Sequence, residues 1–148
     1  MRNVSPAVVT PDGWCRFLLQ LDERVKRDPD AGESTAVVAM VCDGRVMGAS
    51  VGDSEAWMVA RDGSYEVLTS GQYKPRLGSG RATPVGFEGT VSDSVIIAAT
   101  DGLFHAASAD AICSALRASP TPERLVTLAR SRSGKLYDDV GIVVVSVG

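Results

Sequence analysis

The stretch that decides the fold is STAVVAMVCDGRVMGASVGDSEAWMVARDGSYEVLT, residues 34–69. Residues 34–42 are small, β-branched and apolar, and they run into Asp43-Gly44, a strong two-residue hairpin signal. Arg45 to Val51 then returns antiparallel. Residues 55–61 form a third strand ended by Asp62-Gly63, and Tyr65 to Thr69 forms a fourth. Two Asp-Gly turns this close together predict an antiparallel meander, which needs no helical crossover.

On the N-terminal side, Trp14, Phe17, Leu18, Leu21 and Val25 recur at helical spacing, which predicts an amphipathic helix over residues 14–27. Asp12 and Gly13 would cap it, and Asp28-Pro29-Asp30-Ala31-Gly32 breaks it. On the C-terminal side the periodicity dissolves from Ser70 to Asp93, a glycine-rich loop whose length in a compact domain is usually functional or mobile. Val95-Ile96-Ile97-Ala98-Ala99 reads as a buried strand. A helix follows over roughly 108–118, and another starts with Thr121 as N-cap and Pro122 at the first helical position. Ile142-Val143-Val144-Val145 closes the chain as a second buried strand. Strands cluster instead of alternating with helices, so the expected class is α+β, mainly antiparallel sheets packed with helices.

The 148 residues suffice for a single domain with a real core. Apolar residues make up 45% and charged residues 22%, as in soluble globular proteins. A net charge of −3 provides no basic field for nucleic acid or an anionic membrane, and neither is an expected partner. The opening Met1-Arg2-Asn3-Val4-Ser5-Pro6 has no long apolar run, so no signal peptide is expected. Cys15, Cys42 and Cys113 cannot all pair with one another and each sits in an apolar run, which points to free thiols in a reducing cytoplasm.

Chemistry has few places to sit. Asp101 directly follows the strand at 95–99 and is followed by Gly102, and Asp138 and Asp139 precede the last strand. A carboxylate at a strand end is held by rigid backbone, and an adjacent glycine admits a ligand closely. Aspartates converging without cysteine suit hard cations such as Mg²⁺ or Mn²⁺. Asp-Gly and Asp-Asp are equally ordinary turn sequences, and Gly52-Asp53-Ser54 reads on its own as a bulge or sharp bend. His105 reads as a solvated residue at a helix entrance, Trp14 and Trp57 as core aromatics, and Arg76 and Arg81 as solvated loop charges.

Five segments in order resemble the metal-dependent type 2C serine/threonine protein phosphatases. Ser34-Thr35-Ala36-Val37-Val38 is similar to the family's small-residue strand opening. Val51-Gly52-Asp53-Ser54-Glu55-Ala56-Trp57 resembles its Gly-Asp-Ser strand, and Leu68-Thr69 followed by Lys74-Pro75 its next landmark. Ala99-Thr100-Asp101-Gly102-Leu103-Phe104 resembles the Asp-Gly-Leu-aromatic motif. Asp138-Asp139-Val140-Gly141-Ile142 resembles the closing motif and its strand. The likeness covers roughly residues 16–148.

This resemblance implies a type 2C phosphatase-like sandwich, N-terminally reduced. The family's Asp-Gly-x-Gly-Gly-type motif has no full counterpart. Val8-Val9-Thr10-Pro11-Asp12-Gly13 offers only a superficial strand and Asp-Gly. It implies that Asp101 and Asp138 bind a binuclear Mg²⁺ or Mn²⁺ centre and that Asp53 matches a weaker third-metal position. Asp139, standing where the family usually has asparagine, and Gly102 would lie behind the ligands. The implied activity is hydrolysis of phosphoserine and phosphothreonine in a protein substrate by a metal-activated water, weak or absent if the ligand set is incomplete. The alternative is an impaired phosphatase-like module acting through protein binding. Loss of the first strands would also expose a sheet edge for a homodimer. Other phosphatase chemistries are missing from the sequence. Leu21, Gly48 and Ser119 stand six residues after the three cysteines, where a cysteine-dependent loop needs arginine, and there is no Walker loop.

Overall fold

The computed structural model describes residues 10–69 and 75–148, and Val8, Val9 and Lys74 of the motifs above lie outside them. The chain divides into two compact units, one built on residues 10–54 and 75–90, the other on 55–68 and 91–148. The fold is α+β with antiparallel sheets, as the clustered strands predict.

In the first unit, α1 (Pro11–Lys26) packs on a three-stranded sheet of order β1 (Ala36–Cys42), β2 (Arg45–Val51), β5 (Val85–Thr90). The helix begins earlier than the stripe suggests. Thr10, not Asp12 or Gly13, is the N-cap: its hydroxyl accepts from the Gly13 N–H at 3.0 Å, and Pro11 fills the first helical position, where a missing N–H costs nothing. Leu18 is fully buried with Ala49, Val51, Leu77 and Ala82, whereas Phe17, on the predicted stripe, is 41% exposed. Asp43 and Gly44 both take positive φ, the pairing of a tight hairpin turn, and join β1 to β2 as expected.

The predicted meander ends at Val51. β2 pairs with β1 and β5, while the third strand belongs to the other sheet. Gly52 causes the break: it sits at φ +90, and a Cβ there would lie 2.6 Å from Thr35 Cγ2. β5 falls within the stretch expected to be loop. Its Gly86 and Gly89 hide the strand pattern, but Phe87 is buried and its ring lies over Gly48 of β2, filling the space a side chain there would occupy.

In the second unit a four-stranded sheet runs β4 (Tyr65–Val67), β3 (Glu55–Ala60), β6 (Ser94–Ala99), β7 (Ile142–Val147), all antiparallel. Three helices accompany it: α2 (Asp101–Ala106), α3 (Ala109–Ala118) and α4 (Pro122–Leu128). The short α2 was not legible as periodicity, since six residues are under two turns. Trp57, Ile97, Leu103, Ile112, Leu116 and Leu125 form the core. β6 is buried as predicted, but β7 is an edge strand with Val143 59% and Val145 40% exposed. Its unbroken apolar run is half-solvated because only one neighbour, β6, pairs with it among the described residues. All three cysteines are free, and Cys42 is exposed at the hairpin, unlike the buried Cys113. Among the described residues no helix is long and apolar enough to cross a membrane.

Candidate active site

The β6–α2 junction is built from the core outward. Ile97 and Ala99 fix the end of β6, and Leu103 is fully buried one turn into α2. Phe104 stacks on Trp57 with ring centroids 4.8 Å apart, and Trp57 stacks on Tyr65 at 4.6 Å. The indole N–H donates to a Glu55 carboxylate oxygen at 2.5 Å. This aromatic column pins α2 to the sheet and so fixes where Asp101 begins the helix.

β7 brings in the other carboxylates. Ala99 pairs with Ile142, and the Thr100 N–H extends the ladder to the Gly141 carbonyl at 3.0 Å. The Thr100 hydroxyl does not cap α2. It donates to the Asp139 carbonyl at 3.1 Å and accepts from the Gly141 N–H at 3.0 Å. A Cβ on Gly102 would lie 2.6 Å from the Asp139 carbonyl oxygen and 3.4 Å from Asp138 Cβ. Only glycine lets these two backbones approach so closely. Asp101 and Asp138 thus stand on adjoining backbone at one end of the β6–β7 pair, held by Thr100 and Gly102.

Solved structures share this fold. No family model and no curated protein matches the sequence. A bacterial serine phosphatase carrying an arginine-to-alanine substitution superposes with TM-score 0.75 at 21% identity, over 93% of this chain and 65% of its own length. The S. agalactiae serine/threonine phosphatase gives 0.75 at 19% identity, over 90% and 68%. The serine/threonine phosphatase Stp1 from Staphylococcus aureus gives 0.74 at 18%, over 100% and 71%. The chain has the type 2C serine/threonine phosphatase fold. It spans about two thirds of the length of these phosphatases.

Within this phosphatase fold the sequence-predicted carboxylates have different surroundings. The Asp101 side chain is 35% exposed, and His105 Nδ1 lies 3.9 Å from its Oδ2, beyond hydrogen-bonding reach. His105 itself is 80% exposed, in keeping with its reading as solvated. Asp138 and Asp139 are exposed, and Asp138 Oδ1 accepts from the Asp139 N–H at 2.8 Å, leaving its other oxygen free. Asp139 contributes its carbonyl, not its carboxylate, to the junction.

Asp53 belongs to the first unit and is spoken for: Arg76 Nη2 donates to its Oδ2 at 3.1 Å. Arg76 is therefore a partly buried partner of Asp53, not the solvated loop charge its sequence context suggested. Beside them Ser54 Oγ and Thr35 Oγ1 share a hydrogen bond of 2.6 Å.

Oxygen-only donors at Asp101 and Asp138 fit a hard cation in kind. In number they fall short of a binuclear centre, because no group of three or more His, Cys, Asp or Glu side chains positioned for a metal occurs among the described residues. A cavity of about 520 Å³, lined by Val59, Arg61, Asp93, Val95, Arg117 and Val147, lies at the opposite end of the same strands. One strand length, about 20 Å for six residues, separates it from Asp101.

Sequence reasoning missed Asp22. Lying among charged residues late in α1, it is 2% exposed. Its Oδ1 accepts from the Gly78 and Gly80 N–H groups at 2.5 and 3.1 Å, and its Oδ2 from the Ala82 N–H at 3.1 Å. The available signal was the facing segment, Gly78-Ser79-Gly80, whose backbone donors have no strand partner and require an acceptor.

Proposed function

We propose that this chain is a metal-dependent phosphatase module acting on phosphoserine and phosphothreonine in protein substrates, with Asp101 and Asp138 as the metal-facing carboxylates it contributes. The observation that carries the reading is the Thr100–Gly102 junction, which holds both aspartates on adjoining backbone at one strand end. Mg²⁺ or Mn²⁺, when bound, would neutralise phosphoryl oxygens and lower the pKa of a water. The chain's own part is positional. Thr100 and Gly102 set the spacing of the two carboxylates, and the aromatic column under Phe104 keeps Asp101 from shifting with α2. Two carboxylates would hold the metal only loosely, and weak turnover is expected.

The test is hydrolysis of p-nitrophenyl phosphate across a Mn²⁺ titration, wild type against Asp138→Asn. The expected result is slow, Mn²⁺-dependent hydrolysis that saturates only at high metal and is lost in the variant. Hydrolysis unaffected by EDTA, or equal in the variant, would overturn the assignment. A second reading, a phosphatase-like module acting through protein contacts, is favoured by the absence of a three-ligand group among the described residues. Complete lack of hydrolysis at every metal concentration would select it.

A further inference from the structure

The segment between α4 and Asp138 is an ordered basic hairpin that neither the core nor the candidate site uses. Arg130 and Leu136 form an isolated antiparallel bridge. The Ser131 N–H donates to the Lys135 carbonyl at 2.8 Å, and the Gly134 N–H to the Ser131 carbonyl at 2.9 Å. Gly134 makes the turn at φ +82. Arg130 Nη1 donates to the Gly134 carbonyl at 2.8 Å and braces the loop across its own width. Three basic residues thus stand within residues 130–135 of a chain whose net charge is −3. Among the described residues the side chains of Arg132 and Lys135 have no hydrogen-bond or ion-pair partner, and residues 132–139 are all exposed. Tyr137 is 83% exposed immediately before Asp138.

We propose that the Arg130–Tyr137 hairpin is a docking element for substrate peptides carrying acidic residues beside the phosphorylated serine or threonine; the proposal rests on the phosphatase reading for the role of Asp138. Lys135 is three residues from Asp138 and Arg132 six, so their backbones stand within roughly 10 and 20 Å of it along an extended path. Because the chain folds back at Gly134 these distances are upper limits, so an extended peptide with carboxylates within about six positions of the phosphoryl group can reach these cations. Arg132 offers a planar fork for a carboxylate, Lys135 a point charge, and Tyr137 an exposed ring against which an extended backbone can lie. A nucleic acid fits poorly: its continuous phosphate backbone would run over the exposed Asp138 and Asp139.

Fluorescence anisotropy with labelled synthetic peptides tests this without relying on turnover. The probes are a phosphothreonine peptide flanked by aspartates, the same peptide flanked by serines, and a single-stranded oligonucleotide. The wild type should bind the acidic phosphopeptide several-fold more tightly than the neutral one. Arg132→Glu with Lys135→Glu should erase that preference, a loss of roughly tenfold at low salt that shrinks as salt rises. Hydrolysis of p-nitrophenyl phosphate, which has no flanking residues, should be unchanged by the double variant. No preference between the two peptides, a preference that survives the double variant, or oligonucleotide binding as tight as that of the acidic peptide each overturns the docking proposal. Peptide preference without any Mn²⁺-dependent hydrolysis would keep the docking element and discard the phosphatase reading. Hydrolysis without peptide preference would do the reverse.

Discussion

Asp22 and Asp101 are both helical aspartates, and the protein treats them in opposite ways. Asp22 is buried in the first unit with both oxygens filled by three backbone N–H groups of residues 78–82. Asp101, in the second, has no hydrogen bond to its oxygens among the described residues, with His105 at 3.9 Å. Asp53 falls between them, partly exposed and paired with Arg76. A carboxylate saturated by the protein's own donors holds a loop in place and has nothing left for a ligand. One held by rigid backbone and left unsaturated retains its capacity for an external cation. Variants at four positions would break or sharpen this contrast.

The largest effect is expected for Asp22→Ala. Three N–H groups lose their acceptor together, which should cost about 3–4 kcal/mol of unfolding free energy, read from urea melts. Asp22→Asn, which keeps one acceptor oxygen, should cost less. A loss under about 1 kcal/mol for the alanine variant would mean that the 78–82 loop does not depend on this carboxylate.

Gly102→Ala comes next. The added methyl meets a backbone carbonyl, which cannot rotate aside, so roughly 1–3 kcal/mol should be lost. Because the displaced backbone carries Asp138 and Asp139, Mn²⁺ affinity should fall as well. Unchanged affinity in a folded variant would separate the junction from the metal site.

Asp101→Asn is expected to move affinity and not stability. Metal binding in calorimetric titration should weaken at least about tenfold, as the anion opposite a divalent cation is lost. The thermal midpoint of the metal-free protein should hold or rise, because repulsion with Asp138 is relieved. A variant with full metal affinity and a lowered midpoint would make Asp101 a structural carboxylate like Asp22.

The smallest effect belongs to Asp62, in the second Asp-Gly turn. Its carboxylate accepts from the Ser64 hydroxyl at 2.6 Å and the Ser64 N–H at 2.8 Å, and these bonds lower its pKa below the ordinary carboxylate value. The folded state therefore favours the ionised form. The stability this adds is present above the ordinary carboxylate pKa of about 4 and is lost as pH falls through the lowered folded value. In urea melts Asp62→Asn should be slightly less stable than wild type at neutral pH, and the gap should close in acid. A gap independent of pH would discount the Ser64 contacts.

The strands and helices that can be read from local pattern are those whose chemistry is local. Asp43-Gly44 needs only its own backbone angles to turn, and Thr121-Pro122 only its own cap position, so both are where the sequence puts them. β5 escaped because its pairing depends on Phe87 covering Gly48, nearly forty residues away, and α2 because it is held by Phe104 against Trp57 instead of by periodicity. The apolar run of β7 was misread as buried because a strand's hydrophobicity does not say whether it is central or at an edge.

By itself, the sequence determined the α+β class, the two hairpins, the order of the motifs and the aspartates worth watching, because turn preferences, side-chain periodicity and residue type act over a few residues. Tertiary structure alone decided which aspartates are free and which are closed. It closed Asp22 with loop donors, paired Asp53 with Arg76, and used Thr100 and Gly102 to bring the backbone of Asp138 against that of Asp101. A carboxylate's capacity for a ligand depends on the donors that surround it in space, and those donors come from segments whose distance along the chain carries no mark in the sequence.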